Sequence, residues 1–412
     1  MSPILQLLIV LVIILVVAKA SGLLAVRVGQ PAVLGELAAG VILGPSAIDL
    51  LGLDFFNDGH FNLEETVFLM AEIGVIFLMF LAGLETNLDE VSKVRRVAII
   101  AGSFGVLFPI VFGSLVVLPF GFSAKEAVFA GIILSATSVS ISARTLMELG
   151  VLQSRQGISI LASAVIDDVL VILILSFFIA FAVDDGEGGG VTEVLLIVGR
   201  VLFFFVIALV AGVFILPPLM RWASSAPMSE GVIATTLIVV FLSAWFAEYV
   251  GEVAMITGAF LVGIFLRRTD VYRIIDEKMH VIAYGFFVPI FFVGVGLQAN
   301  ARDFEASDAL LLAAISAVAI ASKIIGCGLG ARIAGEDTRS SLQIGVGMVS
   351  RGEVGLIVAS VGLAQGLVST NLFSVMVLMI LITTLVTPIL LKIVFAEEKE
   401  EQHAQHGDVG TA

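Results

Sequence analysis

Apolar residues along this chain come in blocks of roughly twenty, closed by short polar or glycine-rich intervals. "LLIVLVIILVVA" and "VLMILITTLVTPILL" are apolar all round, unlike a one-sided helical stripe or a strand-like alternation. Thirteen blocks predict thirteen membrane-spanning helices at approximately 4–20, 31–45, 65–84, 94–118, 124–146, 155–183, 191–219, 228–249, 252–267, 276–297, 306–334, 338–365 and 369–395. The second and ninth fall short of the ~20 residues a bilayer requires. The expected fold class is an all-α integral membrane protein. The polar tail, 396–412, is expected to be cytosolic and disordered.

Composition agrees with the pattern. Of 412 residues, 59% are hydrophobic and only 14% charged, against about 25% charged in a soluble domain. A net charge of −14 argues against nucleic acid as a partner. The single Cys327 excludes an intrachain disulfide, and His60, His280, His403 and His406 form no cluster of zinc-ligand spacing. No Lys or Arg precedes the first block, which is the wrong flank for a cleaved signal peptide, so that block reads as a retained helix.

Basic residues set the orientation. With the N-terminus outside, sixteen of the 21 Lys and Arg fall at cytosolic loops or helix ends, including Lys93, Arg95, Arg96, Arg155, Arg267, Arg268, Arg273 and Arg339. Only Lys125 and Arg302 lie outside, where "DLLGLDFFNDGHFNLEE" and "DDGEGGG" make the loops acidic. Arg200, Lys323 and Arg351 remain within spans. An odd number of spans places the C-terminus in the cytosol.

The chain also echoes itself. "GELAAGVIL" (Gly35 to Leu43) resembles "GAFLVGIFL" (Gly258 to Leu266), and "GLETN" (from Gly83) resembles "GLQAN" (from Gly296). "VIDDVLVILIL" aligns with "LITTLVTPILL", setting Asp167–Asp168 against Thr383–Thr384. All offsets are about 210 to 225 residues, matching spans 1–6 to spans 8–13 with span 7 as connector. A shift of seven spans is odd and inverts the second copy, the pattern of secondary transporters.

Candidate chemistry centres on Asp167 and Asp168. If span 6 starts near Gly157, Asp167 stands about ten residues in, ~15 Å deep and halfway through a ~30 Å hydrocarbon core. A carboxylate there is costly unless paired, hydrated or protonated. A static bridge between helices needs only one Asp. Adjacent residues point about 100° apart, so one can face a partner helix and the other a water-filled cavity. A carboxyl that holds either a proton or a small cation is the minimal machinery of exchange. Lys323, at similar depth in span 11, is a partner for Asp167, as a switch or as a static bridge. Span 5 crowds Ser135, Thr137, Ser138, Ser140 and Ser142 at its middle, where hydroxyls loosen the helix. Thr137 and Ser138 there suit a hard cation such as Na⁺, or serve small-residue packing. In span 12, Arg351 and Glu353 lie among glycines that permit a break, where they read as structural charges offsetting helix-end dipoles. Arg200, Glu72 and Glu85 carry weaker signals.

Taken together, "GQPAVLGELAAGVILGPS", "FLAGLE", "TSVSISARTLMELG", "AVIDDVLVI" and "GMVSRGEVGLIVA" resemble the monovalent cation:proton antiporter-2 family across about residues 4–395. The resemblance implies an NhaA-type fold: two inverted repeats with spans 5 and 12 broken and crossing, assembled as a homodimer in the cell membrane. It implies scaffold and dimer helices at about 1–84 and 228–297, core helices at about 94–183 and 306–395, and a linker helix at about 191–219. It further implies Asp168 as the ion-binding carboxylate, Asp167 paired with Lys323, and Thr137 and Ser138 lining the site. Potassium-efflux relatives carry Gln-Asp where this chain has Asp-Asp, and append a nucleotide-binding domain. Both differences favour Na⁺(Li⁺)/H⁺ exchange; the resemblance further implies that the Asp-Asp with Lys pattern makes it electrogenic and that the core slides as an elevator against the scaffold. The expectation is a transporter, not an enzyme, with no cofactor besides the transported ions. K⁺/H⁺ exchange and an ion channel or ion-gated sensor stay open as alternatives.

Overall fold

The computed structural model describes residues 2–53, 62–182, 190–226, 229–298 and 308–396. The tail after residue 396, Arg302, and parts of both acidic loops lie outside these residues. The chain runs α1 (Pro3–Arg27), α2 (Ala32–Leu43), α3 (Leu63–Glu85), α4 (Leu88–Lys93), α5 (Arg95–Val117), α6 (Ala124–Ser135), α7 (Val139–Leu149), α8 (Arg155–Ala182) and α9 (Gly190–Val210). It continues with α10 (Leu216–Ser225), α11 (Gly231–Tyr249), α12 (Met255–Leu266), α13 (Tyr272–Ile282), α14 (Val288–Leu297), α15 (Ala309–Ala334), α16 (Thr338–Gly347), α17 (Glu353–Ala364) and α18 (Thr370–Val394). Among the described residues there is no strand. Ten helical stretches there are long and apolar enough to cross a membrane, with shorter apolar helices at Ala32–Leu43, Met255–Leu266 and Val354–Leu363.

Several boundaries differ from the hydropathy pattern, each for a local reason. The first helix runs past residue 20 to Arg27, because nothing before Gly29 breaks it. Gly29 then takes a left-handed conformation (φ 74°), Gln30 N–H reaches back to Ala25 O (2.8 Å), and Pro31 forbids continuation. Lys19 is therefore inside a helix, where it donates to Tyr284 O at 2.8 Å. Spans 7 and 10 each contain a five-residue π turn, Ala211–Ile215 and Ala283–Phe287. Pro217, Pro218 and Pro289 follow these turns. Each proline lacks an N–H and crowds the carbonyl four residues back, and the widened turn accommodates both effects.

The residues form two compact units. One comprises Met1–Lys19, Gly40–Ser92 and Asp168–Gln298. Its centre is α3, buried almost without interruption from Gly74 to Leu84. Glycines let its helices touch backbone to backbone. A Cβ on Gly83 would collide with Phe260 O, one on Gly263 with Phe80 O, one on Gly40 with Val293 O, and one on Gly258 with Ser243 O. In a bilayer, where burial of apolar surface no longer separates helix from lipid, such close approach is a main source of packing energy.

The other unit comprises Ala20–Ala39, Lys93–Asp167 and Ala299–Ala412. Here α5 lies against α15, with Gly326 seated on Phe104 O and Gly330 on Ala101. The interior of this unit holds Asp167, Lys323, Arg351 and a dense set of Ser and Thr side chains.

Candidate functional site

The hydroxyl-rich middle of span 5 is interrupted: α6 ends at Ser135 and α7 begins at Val139. Span 12 is interrupted likewise, between Gly347 and Glu353. An interrupted helix leaves carbonyls without intrahelical donors, and these find partners individually. At the end of α6, Ser135 Oγ donates to Ile132 O (2.7 Å), Ala136 N–H to Ile133 O (3.3 Å), and Arg351 takes Leu134 O. At the end of α16, Ser142 Oγ donates to Gly347 O (2.6 Å).

The two breaks bind each other. Ser138 N–H donates to Ser350 O (2.9 Å) and Ser350 Oγ to Ser138 O (2.5 Å). Ser142 and Ser350 hydroxyls meet at 3.0 Å, Ser138 and Ser140 hydroxyls at 2.9 Å, and Thr384 Oγ1 donates to Arg351 O. The backbone in this region is held by side chains of the opposite break in place of helix bonds.

Arg351 is fully buried. It places Nε and Nη2 on Leu134 O (2.9 and 2.8 Å), Nη1 on Val349 O (2.6 Å) and Nη2 also on Ala319 O (2.8 Å). Its positive charge thus sits at the negative end of α6. Glu353 opens α17, and its side chain lies outside the described residues.

The paired carboxylates project from α8. Asp167 is fully buried and accepts from Lys323 Nζ at 2.7 Å, in a bridge with no solvent exposure on either side chain. Asp168, one residue on, is 3% exposed. Thr137 and Arg351 lie within electrostatic reach of Asp167. Asp167 Oδ2, Thr137 Oγ1 and Ser163 Oγ are buried and complete no aligned hydrogen bond among the described residues. Ser163 stands one turn before Asp167 on the same face of α8.

Two residues beside the bridge carried no sequence signal. Cys327, one turn after Lys323 on α15, and Gly105 on α5 close over the bridge: a Cβ on Gly105 would collide with Cys327 Sγ and come within 3.5 Å of Asp167 Oδ1 and 3.6 Å of Lys323 Nζ. The weaker candidates lie elsewhere. Arg200 pairs with Glu252, Glu85 receives Arg267 on its carbonyl at 2.5 Å, and Glu72 is close enough to Glu248 to feel its charge.

Broken helices bound to each other beside a buried aspartate–lysine pair suit a transporter of small cations, and comparison with known proteins settles the family. Residues 10–397 match the sodium/hydrogen exchanger, transmembrane family. The chain belongs to that family.

The exchanger is 38% identical to the Na(+)/H(+)-K(+) antiporter GerN of Bacillus cereus, over 95% of this chain and 97% of that one. It is 35% identical to a Na(+)/H(+) antiporter of Enterococcus hirae, over 93% and 96%. Its fold matches the sodium proton antiporter MjNhaP1 of Methanocaldococcus jannaschii with a TM-score of 0.69 at 13% identity, covering 97% of the exchanger and 98% of that chain. Its class of activity is cation/proton antiport, and it is a multi-pass membrane protein. Among the described residues, no group of three or more His, Cys, Asp and Glu converges as a metal site.

Proposed function

We propose that the exchanger moves Na⁺ or Li⁺ against protons, with cation and proton competing for Asp168. The observation that carries this reading is the buried Lys323–Asp167 bridge. It commits one of two adjacent carboxylates to a lysine, while α8 turns the other about 100° away. Asp168 then titrates or binds the cation, Thr137 and Ser138 offer oxygens from the break, and Asp167–Lys323 is the coupled switch. Arg351 and Glu353 hold the breaks and do not touch the ion. A bare charge crossing the apolar barrier is prohibitive, so only the occupied or protonated core moves. That motion is an elevator of core against scaffold, and exchange is electrogenic.

The architecture of this reading is thirteen spans in two inverted repeats, with the N-terminus outside, the C-terminus cytosolic, and a homodimer formed through the scaffold. The glycine contacts support the repeats. Gly40 meets Val293 O while its echo Gly263 meets Phe80 O, and Gly35 meets Ser21 O while its echo Gly258 meets Ser243 O. Each contact has a counterpart about 210 to 225 residues away.

Asp168→Asn should abolish Na⁺-driven proton flux in proteoliposomes while the protein still folds. Full flux from that variant sinks the mechanism. A second reading, with K⁺ as an alternative cargo, is favoured by the name of the Bacillus cereus relative. Dequenching of a pH dye on addition of Na⁺, Li⁺ or K⁺ to the same vesicles separates the two.

A further inference from the structure

We propose that the cavity where the C-terminal ends of α1, α7 and α18 meet the start of α2 binds the headgroup of an anionic glycerophospholipid. The cavity measures about 360 Å³, and Val26, Gly29, Gln30, Arg144, Glu148 and Lys392 contribute to its lining. That volume falls in the ~300–1,000 Å³ range of small-ligand sites.

Its polar groups are built into place. Arg144 Nε lies 2.8 Å from Glu148 Oε1, and Glu148 Oε2 accepts the Ala32 N–H at 2.7 Å, so the carboxylate fixes both the guanidinium and the start of α2. Lys392 donates to Gly29 O across the cavity. An ammonium carries three donors, and that bond takes one. Two cations against one carboxylate leave a net positive wall. Gln30 Oε1 is buried in the same wall with no hydrogen-bond partner. A phosphate on Arg144 and Lys392, bearing a hydroxyl or amine that reaches Gln30, satisfies this set.

The rim distinguishes a lipid from a soluble phosphate. Val26, Val28 and Ile393 are 55%, 74% and 65% exposed, and Leu23 and Leu24 on α1 are exposed beside them. Val26, Leu23 and Leu24 stand on α1 and Ile393 on α18, and on membrane-spanning helices such side chains face hydrocarbon, which places acyl chains directly against a basic cavity at the helix ends, the setting in which lipid headgroups are held. A headgroup here ties the α1–α2 turn to α7 and α18, the helices that carry Ser142 and Thr384 to the paired breaks.

The test uses full-length protein stripped of lipid in neutral detergent. Native mass spectrometry and thermal unfolding are followed on addition of phosphatidylglycerol, phosphatidylcholine or glycerol 3-phosphate. Phosphatidylglycerol should be retained and raise the unfolding temperature, and the other two should do neither. Lys392→Gln should weaken its retention about fivefold. Val26→Phe, which fills the cavity from the rim and leaves every charge in place, should weaken it further. Equal retention of phosphatidylcholine, or unchanged retention by both variants, overturns the proposal. Stabilisation by glycerol 3-phosphate equal to that by phosphatidylglycerol overturns the lipid assignment in favour of a soluble phosphate ester.

Discussion

Removing Lys323 exposes the energetics of the site most directly. Nζ and Oδ1 of Asp167 stand 2.7 Å apart with neither side chain exposed. At an effective dielectric of ~20, their attraction is about 6 kcal/mol. Taking both ions out of water costs several kcal/mol each, so the bridge as a whole adds little net stability. The asymmetry appears when one partner goes. Lys323→Met leaves a buried carboxylate without its cation and should cost about 3–5 kcal/mol, and Asp167→Asn should cost a similar amount by stranding the ammonium. The double variant removes both charges and should cost less than the sum by at least ~2 kcal/mol. Unfolding free energies from SDS titration in mixed micelles measure all four corners of the cycle. A coupling within about 0.5 kcal/mol of zero would refute the argument, because the two charges would then not be compensating each other.

Further outcomes follow from neighbouring groups. Gly105→Ala drives a methyl into Cys327 Sγ and should destabilise by about 1–3 kcal/mol. In a Cys327→Ala background the same change should be nearly neutral, and additive losses would show that the two side chains do not meet. Arg351→Gln gives up four donated hydrogen bonds and should cost more than ~3 kcal/mol. Arg351→Lys should recover only part, since a point charge cannot fork across three carbonyls, and wild-type unfolding of either variant would remove Arg351 as the clamp of the breaks. Asp337, which caps α16, is held below the ordinary aspartate value of 3.8 by the Ser340 hydroxyl first and by the Ser340 and Arg339 amides. Its stabilising contribution is present above that value and is lost as pH falls through the folded-state value, so amide protection at residues 339–341 should decline below about pH 4. Asp337→Ala should make that protection low and independent of pH, and a pH-dependent profile in this variant would assign the effect to another group.

What was legible in the sequence follows from what is costly. Two acids and a lysine at mid-span depth demand a mutual arrangement, and the bridge between Asp167 and Lys323 is short because no other environment is available to them. The interruption at 136–138 was legible from hydroxyl density. The partners of Arg351 were not. Arg351 reads from the sequence as a charge offsetting helix-end dipoles, but which acceptors it takes does not: its bonds go to three carbonyls, one of them on α6. Backbone acceptors leave no residue-type signature. The π turns escaped for a related reason: proline announces a disturbance, but whether the helix kinks, stops or widens depends on the packing around it. The glycine seats were visible only as echoes, since a glycine does not name the backbone it meets: Gly40 and Gly263 meet helices distant in sequence, Gly35 and Gly258 the helix just before their own.

Those seats also bear on how the protein is made. Gly40 is closed over by Val293 and Gly263 by Phe80, so each glycine in this pair completes its packing only against the other half of the chain. Helix α2, with twelve residues, is too short to span a bilayer unaided. Its partner α14 leaves the ribosome about 250 residues later, a delay of about 10–50 s at ~5–20 residues per second. During that interval α2 waits in the membrane with its glycine face open to lipid. Co-translational insertion of the first half is therefore provisional, and the arrival of α14 converts it into a finished fold.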